Sequence, residues 1–270
     1  MAVTRFQQTL CRLIAANRLE QGEAYVAGGV ALNLLTGGKR ISRDIDLFHD
    51  TLTALEATWQ ADRRLLESHG YELRSIHERP GYVEVLVGKG PDTVLMQWTH
   101  DSAFRFFPLV QHDELGLTLH PFDLATNKAL ALVGRLEIRD WVDLITCHER
   151  IQHMGYLAWA ACGKDPGFSP LTILEEAGRS GRYTAGELQG LSFDGPPPVL
   201  EDLLGRWHLM LAEAREIVAT LPARWAGTCV LQRHGGLYSG NLTQLKQDLA
   251  ADDLVFHAGS VRGAYPQIIG

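Results

Sequence analysis

The chain has 270 residues, a formal net charge of −7, 46% hydrophobic residues and 21% charged residues. This is a globular composition, long enough for one large domain or two small ones. It excludes a general nucleic-acid coat, which would be basic, and no apolar run approaches the roughly 20 residues of a membrane span.

Four cysteines stand alone at 11, 147, 162 and 229, with no Cys-x-x-Cys pair, so zinc and redox readings gain little. His148 and His153 lie near Cys147, but their spacing does not build a metal face, and they read as helix-surface or interface residues. The first eight residues read as the start of an amphipathic helix and not as a signal peptide, which makes cytoplasmic localisation the expectation. Arg5, Arg12, Arg18, Lys39, Arg40 and Arg43 concentrate positive charge in the first 43 residues, where a local patch could meet RNA or phosphate.

Taken in chain order, residues 3–20 carry apolar positions at helical spacing. Ala24–Ala27 reads as a short buried strand, followed by a helix over 30–36 that Gly37-Gly38 stops. Ile41–Phe48 reads as a second strand and Thr51–His69 as a helix. Strands are expected at 72–77, 82–88 and 93–99, the last two as a hairpin around Lys89–Asp92. Phe104–Val110 and Gly116–His120 are candidate edge strands. Asp123 is a candidate N-cap for the helix that carries Lys128. Helical patterns run over 125–136, 140–154, 171–178, 185–191 and 200–220, with prolines marking loops between them. A strand at 228–232, a helix near 242–250 and a strand at 254–257 close the pattern. The expected fold is thus mixed, α+β or α/β. Residues 1–120 form a mixed sheet with flanking helices, and 121–270 form a mainly helical domain with a short C-terminal β segment.

The chemistry concentrates between Tyr25 and Phe48. Period 2 along a strand puts Asp44 and Asp46 on one face. Two neighbouring carboxylates repel unless a cation lies between them, and oxygen-only ligands on a short spacing suit Mg²⁺. Gly28 and Gly29 lie where a strand hands over to a helix, whose N-terminus attracts phosphate. Arg40, Ser42 and Arg43 precede the aspartates, where an arginine can neutralise phosphate charge. Metal and phosphate sites therefore arrive together, the pairing that phosphoryl or nucleotidyl transfer needs.

Gly-Gly at a helix start with Asp-x-Asp on the next strand resembles the nucleotidyltransferase superfamily of the DNA polymerase β type. The variant Gly-Gly-Val-Ala-Leu-Asn followed by Arg-Ile-Ser-Arg-Asp-Ile-Asp-Leu-Phe looks most like the AbiEii toxins of abortive-infection and type IV toxin–antitoxin systems. Residues 127–144 resemble the same family's helical Lys…Arg-x-x-x-Arg-Asp-x-x-Asp block.

This resemblance implies a Mg²⁺-dependent nucleotidyltransferase toxin. It would use a nucleoside triphosphate and an RNA acceptor, with tRNA 3′ ends favoured, and a separately encoded antitoxin would neutralise it. It further implies that Lys128 contacts the triphosphate and that Asp143 approaches the nucleotide or the acceptor hydroxyl. Arg139 and Asp140 would brace them, and Arg135 is spaced to share a face with Arg139.

Two positions depart from the pattern. Many relatives carry a hydroxyl residue after the glycines, and this chain has Val30. Relatives also carry a third acid near the strand 94–98, and this chain has Gln97. Asp101 and Glu84 are the candidate substitutes, with Asp101 favoured as an added catalytic carboxylate. A transferase acting on a small cationic acceptor and a non-catalytic nucleotide-binding module are the competing readings.

Overall fold

The computed structural model describes residues 3–179 and 182–267. It divides into two compact units, Met1–Ala103 with Leu109–His120, and Phe104–Pro108 with Pro121–Gly270.

The first unit opens with α1 (Arg5–Gln21). Thr4 and Gln7 exchange side-chain bonds to each other's backbone N–H, a capping box that fixes where the helix begins. Met1 and Ala2, included in the expected N-terminal helix, lie outside the described residues. There follow β1 (Ala24–Ala27), α2 (Gly28–Thr36), β2 (Arg40–Ile41), β3 (Asp44–His49) and α3 (Leu52–Ser68). The expected single strand 41–48 is interrupted at Ser42-Arg43. Next come β4 (Glu72–Arg79), β5 (Tyr82–Lys89) and β6 (Asp92–His100). The following strand, β7 (Phe104–Arg105), belongs to the second unit, while β8 (Val110–His112) and β9 (Gly116–Thr118) return to the first.

Seven strands form one mixed sheet in the order β4-β5-β6-β3-β1-β9-β8. β3 runs parallel to β6 and antiparallel to β1, and β5 runs antiparallel to both β4 and β6. The side chains alternate cleanly across this sheet. Ile45, Leu47, Val83, Val85, Val94, Met96 and Trp98 are buried. Asp44, Asp46, Glu84 and Gln97 point to the other, half-exposed face.

A buried polar network marks the apolar face. The Asp62 carboxylate of α3 accepts from Arg18 (2.5 Å) and Asn17 (2.7 Å) of α1 and from Trp98 Nε1 (2.8 Å) of β6. Arg18 and Asp62 are fully buried, so this pairing fixes both helices against the strand that carries Gln97. His49, at the end of β3, is also fully buried. Its Nδ1 lies 3.3 Å from the Thr99 carbonyl and its Nε2 lies 2.7 Å from Thr58 Oγ1.

The second unit comprises α4 (Pro121–Arg135), α5 (Ile138–Arg150), α6 (Met154–Ala161), α7 (Pro170–Gly178), α8 (Ala185–Gln189), β10 (Ser192–Phe193) and α9 (Leu200–Thr220). A 3₁₀ turn at Ala223–Trp225 leads to β11 (Thr228–Gln232), α10 (Leu242–Ala250), β12 (Leu254–Ala258) and β13 (Ser260–Val261). β11 and β12 pair antiparallel, and β13 pairs with β7. Three expectations are corrected. The edge strand 104–110 is two separate strands in two different pairings. The helix 140–154 ends at Arg150, and α6 begins afresh at Met154. Every residue of α6 is buried, so it has no polar stripe from which a helical period could be read. Asp123 lies inside the first turn of α4 and is no N-cap. Its carboxylate accepts the Phe106 and Phe107 N–H groups and pairs with Lys164 at 2.8 Å.

Burial, then the charge of Arg18, lowers the His49 pKa from 6.5 to about 3. Above pH 6.5 both folded and unfolded chains hold a neutral ring. Below it the unfolded chain binds a proton that the folded chain refuses, so stability is lost as pH falls from 6.5 towards 3. A His49→Asn variant should lose about 1.4 kcal/mol per pH unit of this dependence between about pH 6.5 and 5. Urea unfolding across that window measures it, and identical slopes in the two proteins would contradict it.

Candidate active site

The site in the first unit is built where β1 passes directly into α2. Gly28 adopts φ +62°, a left-handed conformation, and a Cβ there would overlap Asp46 Oδ2. A Cβ at Gly29 would come within 2.6 Å of Ser42 Oγ and 2.5 Å of Arg40 Nη2. The two glycines are therefore the space into which Asp46, Arg40 and Ser42 fit. Ala27 gives α2 no side-chain cap, so the N–H groups of its first turn carry no such bond. That positive helix end, with the nearly buried Arg40 guanidinium beside Gly29, is an anion-binding arrangement. Val30 is fully buried and serves the core, so its side chain offers no polar group at this turn.

Asp44 and Asp46 share the half-exposed face of β3, as the sequence spacing requires. Ser42 Oγ donates to Asp44 Oδ1 at 2.9 Å, and Gln7 Nε2 donates to the Ser42 carbonyl at 2.8 Å. Ser42 thus orients an aspartate and packs against Gly29 at the same time.

Gln97 is the direct partner of Asp46 across β3–β6, and Glu84 is the direct partner of Gln97 across β6–β5. The three side chains form one row across adjacent strands. Gln97 Nε2 donates to Glu84 Oε1 at 2.8 Å, and the Tyr82 hydroxyl donates to the same oxygen at 3.0 Å. Burial, then the bond to Glu84, pushes the Tyr82 phenol up to about 12, so it remains a donor.

Asp101 is not brought to this row. It lies four residues beyond Gln97, about 13 Å along the strand direction at 3.3 Å per residue. Its N–H donates to the His49 carbonyl, and its Oδ1 accepts the Ser102 N–H. Asp101 caps a local turn, which corrects its expected place beside the aspartate pair.

In the second unit, Lys128 of α4 is nearly buried, and its Nζ lies 2.8 Å from Asp140 Oδ1 and 3.2 Å from Asp143 Oδ2. Arg135 clasps Asp140 with two bonds of 2.6 and 2.9 Å. Burial raises the Asp140 pKa, but Arg135 and Lys128 together outweigh it, and the net shift is downward. Arg139 pairs with Glu137 at 2.6 Å, and Arg135 is a brace on Asp140. One charged cluster therefore gathers Lys128, Arg135, Asp140 and Asp143.

Among the described residues, His148, His153 and Glu213 also stand close enough to hold a metal ion. His148 Nδ1 already accepts the Met154 N–H at 3.0 Å, and His153 Nδ1 lies 3.3 Å from Glu213 Oε2. Burial, then the neighbouring His153, lowers the His148 pKa. The His148 Nδ1 lone pair is thus engaged in capping the start of α6.

Residues 10–160 match the sequence model described as nucleotidyl transferase AbiEii toxin, type IV toxin–antitoxin system, which spans more than half of the chain. The chain belongs to the AbiEii family. It is a nucleotidyltransferase of the AbiEii toxin type, with a mixed sheet flanked by helices. Its structure is similar to that of a Helicobacter pylori protein assigned as a nucleotidyltransferase, with TM-score 0.52 and 17% identity over 79% of this chain and 95% of the other. JHP933 from Helicobacter pylori gives TM-score 0.51 and 16% identity over 78% of this chain and 91% of the other. These likenesses establish the fold. MenT4, a nucleotidyltransferase toxin from Mycobacterium tuberculosis, gives TM-score 0.49 and 16% identity over 90% and 92% of the two chains. No curated protein matches the sequence. No helix among the described residues is long and apolar enough to cross a membrane.

Gly28→Ala should be more damaging than Gly37→Ala in this AbiEii chain. Both glycines have positive φ, but only at Gly28 would the added Cβ strike Asp46, since Gly37 has nothing within 4 Å. Both should lose about 1 kcal/mol for the backbone conformation, and Gly28→Ala alone should also abolish transfer. Denaturation and transfer assays on the pair check this; equal activity in the two would contradict it.

Asp140→Asn should destabilise the chain by roughly 3 kcal/mol, the low end for a broken buried pair, because Arg135 is partly solvated. The depressed Asp140 pKa means that this contribution is present above the ordinary carboxylate range and lost as pH falls through the folded value. The difference between variant and parent should therefore shrink in acid, measured by urea unfolding at about pH 7 and pH 3.

Proposed function

We propose that this AbiEii chain transfers a nucleoside monophosphate from a nucleoside triphosphate to an RNA acceptor, with the tRNA 3′ end the favoured target and Mg²⁺ the ion. The observation that supports it most is the closure of the Asp46 carboxylate over Gly28 at the start of α2, with Arg40 at Gly29. A cation site and an anion site share one turn.

The donor set fits a hard cation, because Asp44 and Asp46 offer only oxygen. When bound, the ion would neutralise phosphate charge and polarise the reacting phosphorus. Asp44 and Asp46 would hold it. The backbone N–H groups from Gly29 onward, with Arg40, would take phosphate oxygens. The acceptor hydroxyl attacks the α-phosphorus, the bond to the bridging oxygen breaks, and pyrophosphate leaves with the electron pair. By family likeness, Lys128 would contact the triphosphate, with Arg135 in support, and Asp143 would take the acceptor proton. Residues 1–120 would serve as the nucleotidyltransferase domain, and 121–270 as the mainly helical domain. The type IV toxin–antitoxin assignment of the family supports a cognate antitoxin as partner.

Incubation with each α-labelled nucleoside triphosphate, Mg²⁺ and total RNA tests the reading. Label should pass to RNA with the parent chain and fall to background with Asp44→Ala or Asp46→Ala while the fold survives. Lys128→Ala should weaken binding of a non-hydrolysable nucleotide by about 1.5–3 kcal/mol, against about 0.5 for an ordinary surface lysine. Label on an added aminoglycoside but not on RNA would move the acceptor to small molecules. Nucleotide binding without any transfer would leave a non-catalytic module.

A further inference from the structure

The row Asp46–Gln97–Glu84 carries an arrangement that two isolated aspartates would not have. Gln97 sits at the same level as Asp46 on the neighbouring parallel strand and shares its sheet face. Neighbouring strands lie about 4.8 Å apart, so the Gln97 amide stands within reach of whatever Asp46 holds. An amide, however, presents an oxygen or an NH₂ group, and only the oxygen can face a cation.

Glu84 settles which group faces which way. Its Oε1 accepts Gln97 Nε2 at 2.8 Å and the Tyr82 hydroxyl at 3.0 Å. A carboxylate accepts and cannot donate, so the Gln97 nitrogen must turn towards β5. The amide oxygen is thereby directed away from Glu84 and left for the Asp46 side of the row. Tyr82, held as a donor by its position on Glu84, keeps that carboxylate in place.

We propose that Gln97 is a neutral oxygen ligand for the divalent cation held by Asp44 and Asp46, and that Glu84 is the positioning residue that keeps its amide oxygen turned to the ion. This inference rests on the cation site proposed above. A neutral third ligand leaves the site with two formal negative charges instead of three. The bare protein should then hold a divalent cation weakly, and the triphosphate oxygens should supply much of the affinity.

The experiment is titration with Mn²⁺ followed by electron paramagnetic resonance, on the full chain, with and without a non-hydrolysable nucleotide. Gln97→Glu should bind bare Mn²⁺ at least tenfold more tightly than the parent, and Gln97→Leu several-fold more weakly. Glu84→Ala should weaken Mn²⁺ binding in the parent background and leave it unchanged in the Gln97→Leu background, because its effect passes through the amide. An equal loss in both backgrounds would overturn the positioning role and make Glu84 a direct electrostatic contributor. Unchanged Mn²⁺ affinity in a folded Gln97→Leu variant would overturn the ligand assignment. Asp46→Asn separates this inference from the reading beneath it. If Asp46→Asn binds Mn²⁺ as the parent does, the cation site itself is wrong. If Asp46→Asn loses Mn²⁺ while Gln97→Leu keeps it, only the role of Gln97 falls. Circular dichroism of each variant confirms that the fold is retained.

Discussion

The closure of Asp46 over Gly28 is the constraint on which the site depends. A carboxylate lies against the first turn of a helix, in space that any Cβ would fill. Three features follow from that one contact. β1 must pass into α2 through a left-handed glycine. β3 must lie next to β1, and it does so in antiparallel register with Ala27 opposite Asp46. The helix begins after Ala27 without a side-chain cap. Backbone conformation, strand order and the uncapped helix start therefore meet in the same packing.

That packing needs a rigid floor. The opposite face of the sheet supplies it through apolar side chains and the fully buried Arg18–Asp62 pair. A buried ion pair is costly to desolvate and adds little net stability, but it accepts few alternative arrangements. Here Asp62 also accepts Trp98 Nε1, and Trp98 is the strand neighbour of Gln97. The network thus fixes the height and twist of β6 at the position where the row Asp46–Gln97–Glu84 crosses it. His49 plays a similar part at the end of β3, bridging Thr58 of α3 and Thr99 of β6 while neutral.

The second unit handles charge differently. Lys128 is nearly buried and could not remain there alone. Asp140 and Asp143 balance it, and Arg135 balances Asp140 in turn. The sequence block from 127 to 144 is therefore a self-consistent charge cluster before any nucleotide arrives.

Local signals settled much of this protein. Glycines, prolines and periodic apolar positions placed β1, β11, α9 and α10 because caps and periods are written in neighbouring residues. The Asp44–Asp46 pairing on one face was legible because strand period is a local property. Family likeness in the two motif blocks carried the rest of the reading to the AbiEii assignment. What the sequence could not supply was register. Whether Glu84 or Asp101 stands beside Gln97 depends on which strands neighbour each other and at what offset, and the residues involved are 13 and 4 positions away along the chain. The wholly buried α6 escaped detection for a related reason, since a helix apolar on all sides has no pattern of its own. Arg135 reaches Asp140 across the turn between α4 and α5, which helical spacing within one helix cannot foresee. Sequence alone determined the chemical inventory and its local geometry; tertiary structure decided the partners, because partnership between strands and helices is set by long-range packing.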